Sequence, residues 1–163
     1  MSENKVLEYE MDKRWESYSP PYTQEIFKIS AEKLIAPSGG VPELIKKKLE
    51  RVRSVYELRS IDFELQAVAE HLTYVVLELS LRMKFEEINK KTTKKSLGSL
   101  LHWAKKEGEL SISEDRIKFL CGLRNDFAHL RDPESLHGTL SSFLIDELVK
   151  LINELFRDSS DTE

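Results

Sequence analysis

The sequence predicts an all-α protein, a bundle of four to five main helices. Apolar residues recur at three- and four-residue spacing over long stretches, and no segment shows the strict alternation that is typical of a half-buried strand. Glycine and proline are few, with six and five among 163 residues, which disfavours a loop-rich β-sandwich or barrel. Since single domains commonly have about 100–200 residues, we expect one domain.

The composition indicates where that domain begins and ends. We expect a peripheral N-terminal arm at residues 1–22, the helical domain at 23–157 and a polar tail at 158–163. A single cysteine excludes an internal disulfide and favours a reducing compartment. The charged first residues do not resemble a signal peptide, and no apolar run approaches the roughly 18 residues of a membrane span. We therefore expect a cytoplasmic protein.

Capping residues and helix breakers divide the domain into elements. Six segments carry helical spacing: Thr23 to Pro37, Pro42 to about Leu58, Ile61 to about Lys90, Leu97 to Lys106, Ser111 to about Leu130, and Leu136 to Arg157. Ser96 is expected to cap the fourth segment and Gly108 to end it. Ser111 and Glu114 have the spacing of a capping box, which predicts the start of the fifth segment.

The third segment is expected to be the central and most buried helix, because apolar residues cover much of its circumference. Its main stripe keeps helical spacing over six turns: Ile61, Leu65, Val68, Leu72, Val75, Leu79 and Met83. Among the polar residues of this helix, we expect His71 to be a satisfied interior histidine. Glu78 and Arg82 are four residues apart and are expected to form an ion pair on the helix surface.

Charge is distributed unevenly along the chain, although the net charge is only -4. Residues 82–106 contain eight basic and two acidic residues, a net of +6, whereas residues 107–163 carry six basic and thirteen acidic residues, a net of -7. Four lysines stand within the basic stretch: Lys90, Lys91, Lys94 and Lys95. They form either a solvated loop between helices or a patch that binds a polyanion, since surface potentials are set within about 8–10 Å.

One position breaks the apolar pattern of the fifth segment. Ile117 and Leu120 predict a core-facing stripe, and a later position on that stripe is Arg124. Burying an arginine without partners is strongly unfavourable. Gly122 permits the close approach of another backbone or a ligand, and His129 adds a titratable imidazole within the same eight residues. This combination predicts a functional site.

The segment 123–129, Leu-Arg-Asn-Asp-Phe-Ala-His, resembles the Arg-polar-x-x-x-His motif of HEPN domains. That all-α family includes many metal-independent ribonucleases. The resemblance extends more weakly to 77–83 and 97–104 and covers the region from Val41 to Phe156. It implies a HEPN-like helical bundle.

The resemblance also implies an endoribonuclease that uses no cofactor, which agrees with four histidines whose spacing offers no metal-binding motif. His129 would be the general base for a ribose 2′-OH or the acid for the leaving oxygen. Arg124 would stabilise charge on the phosphorus, and Asn125 would orient the phosphate or the histidine. Attack by the 2′-OH would leave a 2′,3′-cyclic phosphate, and the four lysines would bind the RNA substrate.

Helix geometry and the resemblance together predict a homodimer. Arg124 and His129 are five residues apart, so on a regular helix they point about 140° away from each other. They converge only if the helix distorts before Pro133, if the arginine wraps round, or if each works with a second chain. HEPN enzymes characteristically dimerise with their motifs facing one another, and Gly122 would help that approach.

An alternative without catalysis stays open. In it, Arg124 is held by an acid such as Glu78 or Asp126, His129 caps the helix end, and the protein is a HEPN-like interaction or dimerisation module. The acidic residues that flank the motif also oppose RNA binding. If the protein is an enzyme, the resemblance suggests a toxin or an antiviral effector, with an antitoxin or another protein as a further partner.

Overall fold

The computed structural model describes residues 9–17, 23–128 and 137–157, and this part of the chain is helical without a strand. The all-α prediction is thereby confirmed. The described residues form six α-helices: α1 Gln24–Leu34, α2 Glu43–Glu57, α3 Leu65–Asn89, α4 Leu97–Lys106, α5 Glu114–Ala128 and α6 His137–Leu155. Two 3₁₀ helices, Lys13–Ser17 and Leu58–Ser60, precede α1 and link α2 to α3.

The two shortest helices bring the number above the predicted four to five. α1 and α4 have 11 and 10 residues, and each has its own serine or threonine cap. The Thr23 hydroxyl accepts a hydrogen bond from the Ile26 N–H at 3.3 Å, and the Ser96 hydroxyl accepts one from the Ser99 N–H at 3.4 Å. Both caps agree with the sequence because short polar side chains satisfy N–H groups that the first turn leaves open.

The end of α4 also follows the sequence. Gly108 has a φ of 78°, a left-handed conformation that glycine adopts without strain. Its N–H donates to the Lys105 carbonyl at 3.2 Å, and the Glu109 N–H donates to the Ala104 carbonyl at 2.8 Å. These two bonds form a Schellman motif, which satisfies carbonyls of the last helical turn.

Two helix starts differ from the sequence-based expectation. α3 begins at Leu65 rather than Ile61, because the 3₁₀ helix and a turn occupy the preceding residues. α5 is capped by Ser113, whose hydroxyl accepts from the Arg116 N–H at 3.1 Å. The prediction of a capping box at Ser111 is therefore wrong. The Ser111 N–H instead donates to a Glu154 carboxylate oxygen at 2.7 Å.

α3 is the central helix, since it packs against α2, α4, α5 and α6. Its buried face includes Tyr74, Leu77, Leu81 and Phe85. α6 contributes a second set of buried residues to the same core: Leu144, Ile145, Leu148, Val149 and Ile152. The core thus lies mainly between α3, α6 and α2.

The predicted apolar stripe of α3 is not its buried face. Val68 and Val75 are 45% and 51% exposed, and His71 is exposed rather than interior. The buried face instead includes Thr73 and Ser80, whose hydroxyls donate to carbonyls one turn earlier in the helix at 2.7 and 2.8 Å. Because internal hydrogen bonds satisfy these hydroxyls, Thr73 and Ser80 occupy the interior while Val68 and Val75 face outward.

The first 3₁₀ helix attaches the described part of the arm to the bundle. Trp15 is buried, its indole N–H donates to the Arg59 carbonyl at 2.7 Å, and its ring lies 4.8 Å from the rings of both Phe27 and Phe63. The tail at 158–163 lies outside the described residues. None of the helices in the described ranges is both long and apolar enough to cross a bilayer.

Candidate functional site

Arg124 lies on the core-facing side of α5, as the sequence predicts. Ile117 and Leu120, which precede it by seven and four residues, are 1% and 0% exposed. Residues this far apart share one face of a helix. Burial falls toward the end of α5, however, and the Arg124 side chain is 42% exposed. The arginine therefore points along the buried face but emerges where the core ends.

An open pocket of about 240 Å³ receives this side chain. It lies where α3, the first turn of α4 and the second half of α5 meet. Its lining residues are Glu78, Ser96, Leu97, Gly98, Cys121, Arg124 and Asn125. Two of the three residues assigned to catalysis thus border one cavity.

Gly98 allows α4 to approach α5 closely. A Cβ atom added at Gly98 would lie 3.3 Å from the Cys121 sulfur, tighter than ordinary packing. Sequence reasoning assigned close approach to Gly122 instead, but within this chain a Cβ there would meet nothing within 4 Å. The glycine that shapes the pocket is therefore Gly98, for which the sequence offered no signal beyond its position in the first turn of a short helix.

Cys121 forms part of the pocket wall. It is half-buried rather than fully in the core, and burial raises the pKa of its thiol while the nearby Arg124 partly opposes that shift. A raised pKa favours the neutral thiol at neutral pH. The wall beside Arg124 is therefore uncharged at this point.

Glu78 is the carboxylate beside Arg124. Its Oε2 atom lies 3.9 Å from Nη2 of Arg124, and its Oε1 atom lies 2.5 Å from Nη2 of Arg82. The second distance confirms the predicted pair between Glu78 and Arg82. The first distance shows that Glu78 is near enough to Arg124 to be the acid that the non-catalytic alternative requires.

Arg82 connects this carboxylate to the lysine loop, which we define as residues 90–95. Its guanidinium donates to the carbonyls of Thr93 and Lys95 at 3.3 and 3.4 Å. The loop then leads directly into Ser96, which borders the pocket. The end of the lysine loop consequently adjoins the pocket that Arg124 borders.

The four lysines of the loop face solvent. Lys90 ends α3 in a left-handed conformation with φ of 55°, and Lys91 and Lys94 are exposed beside it. Lys95 is also exposed, with its ammonium 5.3 Å from the centre of the Phe85 ring. Both interpretations of these lysines, a solvated loop and a polyanion-binding patch, are compatible with such exposure.

His129 lies outside the described residues, so its position relative to Arg124 and Asn125 stays a prediction. Asn125 is exposed at the pocket edge. The sequence did not reveal the bonds from Arg82 to the lysine loop or the close approach at Gly98, because both depend on segments that meet only in the folded chain.

A larger depression of about 610 Å³ lies between the α1–α2 loop and the end of α6. Asn153, one of its lining residues, accepts from the Ser38 N–H at 2.8 Å and donates to the Ala36 carbonyl at 3.1 Å. Lys150 at its edge pairs with Asp146 at 2.5 Å. Asn153 thus holds the loop against α6, and Lys150 is paired within its own helix. Arg124, by contrast, lies 3.9 Å from its charge partner Glu78.

Within the described part of the chain, no three histidine, cysteine, aspartate or glutamate residues are grouped so that they could hold a metal ion. The chain matches no family model, no curated protein and no solved structure.

Proposed function

We propose that the protein is a metal-independent endoribonuclease of HEPN type. It cleaves RNA by attack of a ribose 2′-OH on the adjacent phosphodiester and leaves a 2′,3′-cyclic phosphate. Arg124 binds the phosphate, Asn125 orients it, and His129 transfers the proton. The proposal joins the sequence resemblance to the placement of Arg124 and Asn125 on one open pocket.

The observation that supports the proposal most strongly is the exposure of the Arg124 guanidinium and its distance from its charge partner. It extends from the buried face of α5 into a cavity, and its ion-pair partner among the described residues is a carboxylate 3.9 Å away. That separation exceeds hydrogen-bonding distance. The pair with Glu78 therefore leaves the guanidinium donors for a phosphate, which arginine binds through two parallel hydrogen bonds.

The reaction balances without a metal or a redox partner. His129 accepts the proton of the 2′-OH, the 2′ oxygen forms a bond to phosphorus, and the bond from phosphorus to the 5′ oxygen breaks. The 5′ oxygen takes up a proton from water as it leaves, and protonated His129 returns its proton to the hydroxide that remains. Arg124 stabilises the charge that develops on the phosphoryl oxygens, which is the role that fixed cationic donors fill most effectively in such reactions.

The lysine loop brings RNA to this pocket. It adjoins the pocket at Ser96, and the surrounding residues 82–106 carry the net charge of +6. Basic patches attract nucleic-acid phosphates even when the whole chain is acidic, because the field at a surface is dominated by charges within about 8–10 Å.

The experiment is cleavage of a single-stranded RNA by purified protein in EDTA. We expect cleavage that leaves cyclic-phosphate ends and that is lost in Arg124→Ala and in His129→Ala. Arg116→Ala is the matched control on the same helix, because Arg116 pairs with Glu147 at 2.6 Å and borders no part of the pocket. Cleavage that persists in both site variants, or that occurs equally in DNA, contradicts the proposal.

We propose that the active form is a two-fold homodimer formed through α3. Val68 and Val75 are about half exposed, and Leu72 and Leu79 are only partly buried. These four residues have the alternating four- and three-residue spacing of a helix-pairing stripe. Glu78 lies beside the stripe on the same helix, so pairing of two α3 helices would bring the two Arg124 pockets close to each other.

The dimer is tested by Val75→Glu. We expect the wild-type chain to have twice the monomer mass in solution and the variant to have the monomer mass at equal concentration. Leu44→Glu is the matched control, since Leu44 is 49% exposed on α2. A wild-type monomer at micromolar concentration contradicts the dimer.

A non-catalytic interaction module is the second candidate function. The Glu78–Arg124 pair favours it, because an acid beside the arginine partly neutralises the charge that would bind phosphate. This candidate predicts no RNA cleavage under any condition and stable capture of a partner protein by the exposed stripe of α3.

A further inference from the structure

Glu78 contacts two arginines with its two carboxylate oxygens. Oε1 is 2.5 Å from Nη2 of Arg82, and Oε2 is 3.9 Å from Nη2 of Arg124. The Glu78 side chain is 23% exposed, so it is more shielded from water than either arginine. Charges in such a partly buried position interact more strongly than those on the open surface.

The two arginines are held to different degrees. Arg82 is fixed by Glu78 and by the Thr93 and Lys95 carbonyls of the lysine loop. Arg124 is 42% exposed and, at 3.9 Å from Glu78, beyond the hydrogen-bonding range. Arg82 thus immobilises the carboxylate, and the carboxylate attracts the Arg124 guanidinium by charge without occupying its N–H donors.

We propose that Glu78 is a positioning residue for Arg124 and couples it to the lysine loop. The proposal rests on the proposed ribonuclease function for its kinetic consequence. The loop carbonyls orient Arg82, Arg82 orients Glu78, and Glu78 holds the guanidinium of Arg124 at the α3 side of the pocket. The order of the loop that binds RNA is thereby linked to the alignment of the group that binds the reacting phosphate.

Removal of the Glu78 charge is expected to affect binding and reaction in opposite ways. Without the carboxylate, the site gains one positive charge, so the KM for RNA should stay the same or fall. At the same time Arg124 loses its anchor, and a small misalignment of a catalytic group reduces the rate by as much as about 100-fold. A residue that only stabilised the loop would raise KM instead.

The kinetic experiment compares Glu78→Gln with Asp146→Asn. The control removes a carboxylate from another pair with the same 2.5 Å separation and the same four-residue spacing, between Asp146 and Lys150 on α6. We expect kcat to fall about 10- to 100-fold in Glu78→Gln with no increase in KM, and both constants to be unchanged in Asp146→Asn. An increase in KM with unchanged kcat overturns the proposal.

A structural readout keeps the proposal testable if the wild-type protein does not cleave RNA. The Nε–Hε NMR resonance of Arg124 can be assigned by its absence in Arg124→Lys, since lysine has no such group. We expect this resonance to shift in Glu78→Gln, to shift less in Glu78→Asp, which keeps the charge, and to stay unchanged in Asp146→Asn.

The cleavage assay and the NMR measurement distinguish failure of the ribonuclease proposal from failure of the positioning proposal. Absence of wild-type cleavage refutes the ribonuclease, while a shifted Arg124 resonance in Glu78→Gln still supports positioning by Glu78. An Arg124 resonance that stays in place in both Glu78 variants overturns the positioning role, whatever the activity of the protein.

Discussion

Arg59 and Arg124 are both arginines at the edge of the core, but their surroundings differ. Arg59 is 4% exposed, its guanidinium carbon lies 3.6 Å from the centre of the Tyr56 ring, and it donates to the Tyr56 carbonyl and the Ser30 hydroxyl at 2.5 Å each. Arg124 is 42% exposed, and its charge partner among the described residues is 3.9 Å away.

The difference is the one expected if Arg59 is structural and Arg124 has the ligand-binding role that we propose. Hydrogen-bond acceptors and an aromatic face compensate the burial of Arg59, which is the condition under which a buried cation is tolerated. Arg124 retains contact with water and borders a cavity large enough for a phosphate group. We therefore expect Arg59 to contribute to stability, whereas the surroundings of Arg124 are compatible with the proposed ligand binding.

Replacement of each arginine by alanine should separate these roles most clearly. We expect Arg59→Ala to lower the free energy of unfolding by about 2–3 kcal/mol, because it removes a cation–π contact and leaves buried acceptors unpaired. Arg124→Ala should change it by less than about 1 kcal/mol, because Arg124 is 42% exposed and lies 3.9 Å from its partner Glu78. Urea unfolding measures both values, and equal losses would remove the distinction.

The lysine loop should account for the next largest effect. Lys90, Lys91 and Lys94 replaced together by alanine should reduce RNA affinity about tenfold and lower the slope of log K against log salt by about 2, as expected for three phosphate contacts on a single strand. Fluorescence anisotropy at several salt concentrations measures both quantities.

The matched control for the loop replaces three basic residues of α2, which borders no part of the pocket: Lys47, Lys48 and Arg51. We expect little change in the salt slope. If both triple variants lose the same affinity, RNA binding follows the net charge of the chain rather than the loop beside Arg124.

The glycines of α4 and α5 should differ by about 1 kcal/mol. Gly122→Ala is expected to raise the free energy of unfolding by about 0.5–1 kcal/mol, because alanine favours the helix and the added Cβ would meet no atom within 4 Å apart from neighbouring residues and the backbone of its own helix. Gly98→Ala should not raise the free energy of unfolding, since the new Cβ would lie 3.3 Å from the Cys121 sulfur. The double variant Gly98→Ala/Cys121→Ala tests whether the sulfur is the cause. We expect it to be more stable than Cys121→Ala alone, because the atom that crowds the new Cβ is gone.

The smallest effect concerns acid stability at the first 3₁₀ helix. The Asp12 carboxylate accepts from Arg14 at 2.7 Å and from the Phe63 N–H at 2.9 Å, and the bond from Arg14 holds its pKa well below the usual range. A lowered folded-state pKa stabilises the protein at pH values above about 4. This contribution is lost as the pH falls below that value.

Unfolding experiments at pH 6 and pH 3 test this assignment. We expect Asp12→Asn to be less stable than the wild type at pH 6 and the difference to shrink at pH 3. A difference that is constant over this range would show that the Asp12 charge does not contribute.

Local signals in the sequence predicted several helix ends and the unusual position of Arg124, but not the starts of α3 and α5. Thr23, Ser96 and Gly108 act within one helical turn, so their roles follow from neighbouring residues alone. Arg124 was recognised because its position relative to Ile117 and Leu120 is fixed by helix geometry.

The buried face of α3 and the surroundings of the site required the folded chain. Apolar residues occupy most of the circumference of α3, so spacing did not decide between two faces, and the hydroxyls of Thr73 and Ser80 concealed the buried one. The link from Arg124 through Glu78 and Arg82 to the lysine loop joins three elements, and no local pattern encodes it.

The most direct test of Arg124 as the phosphate-binding residue is the cleavage rate of Arg124→Lys in EDTA, with its free energy of unfolding measured in parallel. Lysine keeps the charge and loses the planar pair of donors that binds phosphate. We expect stability within about 0.5 kcal/mol of the wild type and a rate reduced by about 100-fold or more. A stable variant that cleaves RNA at the wild-type rate would contradict the assignment.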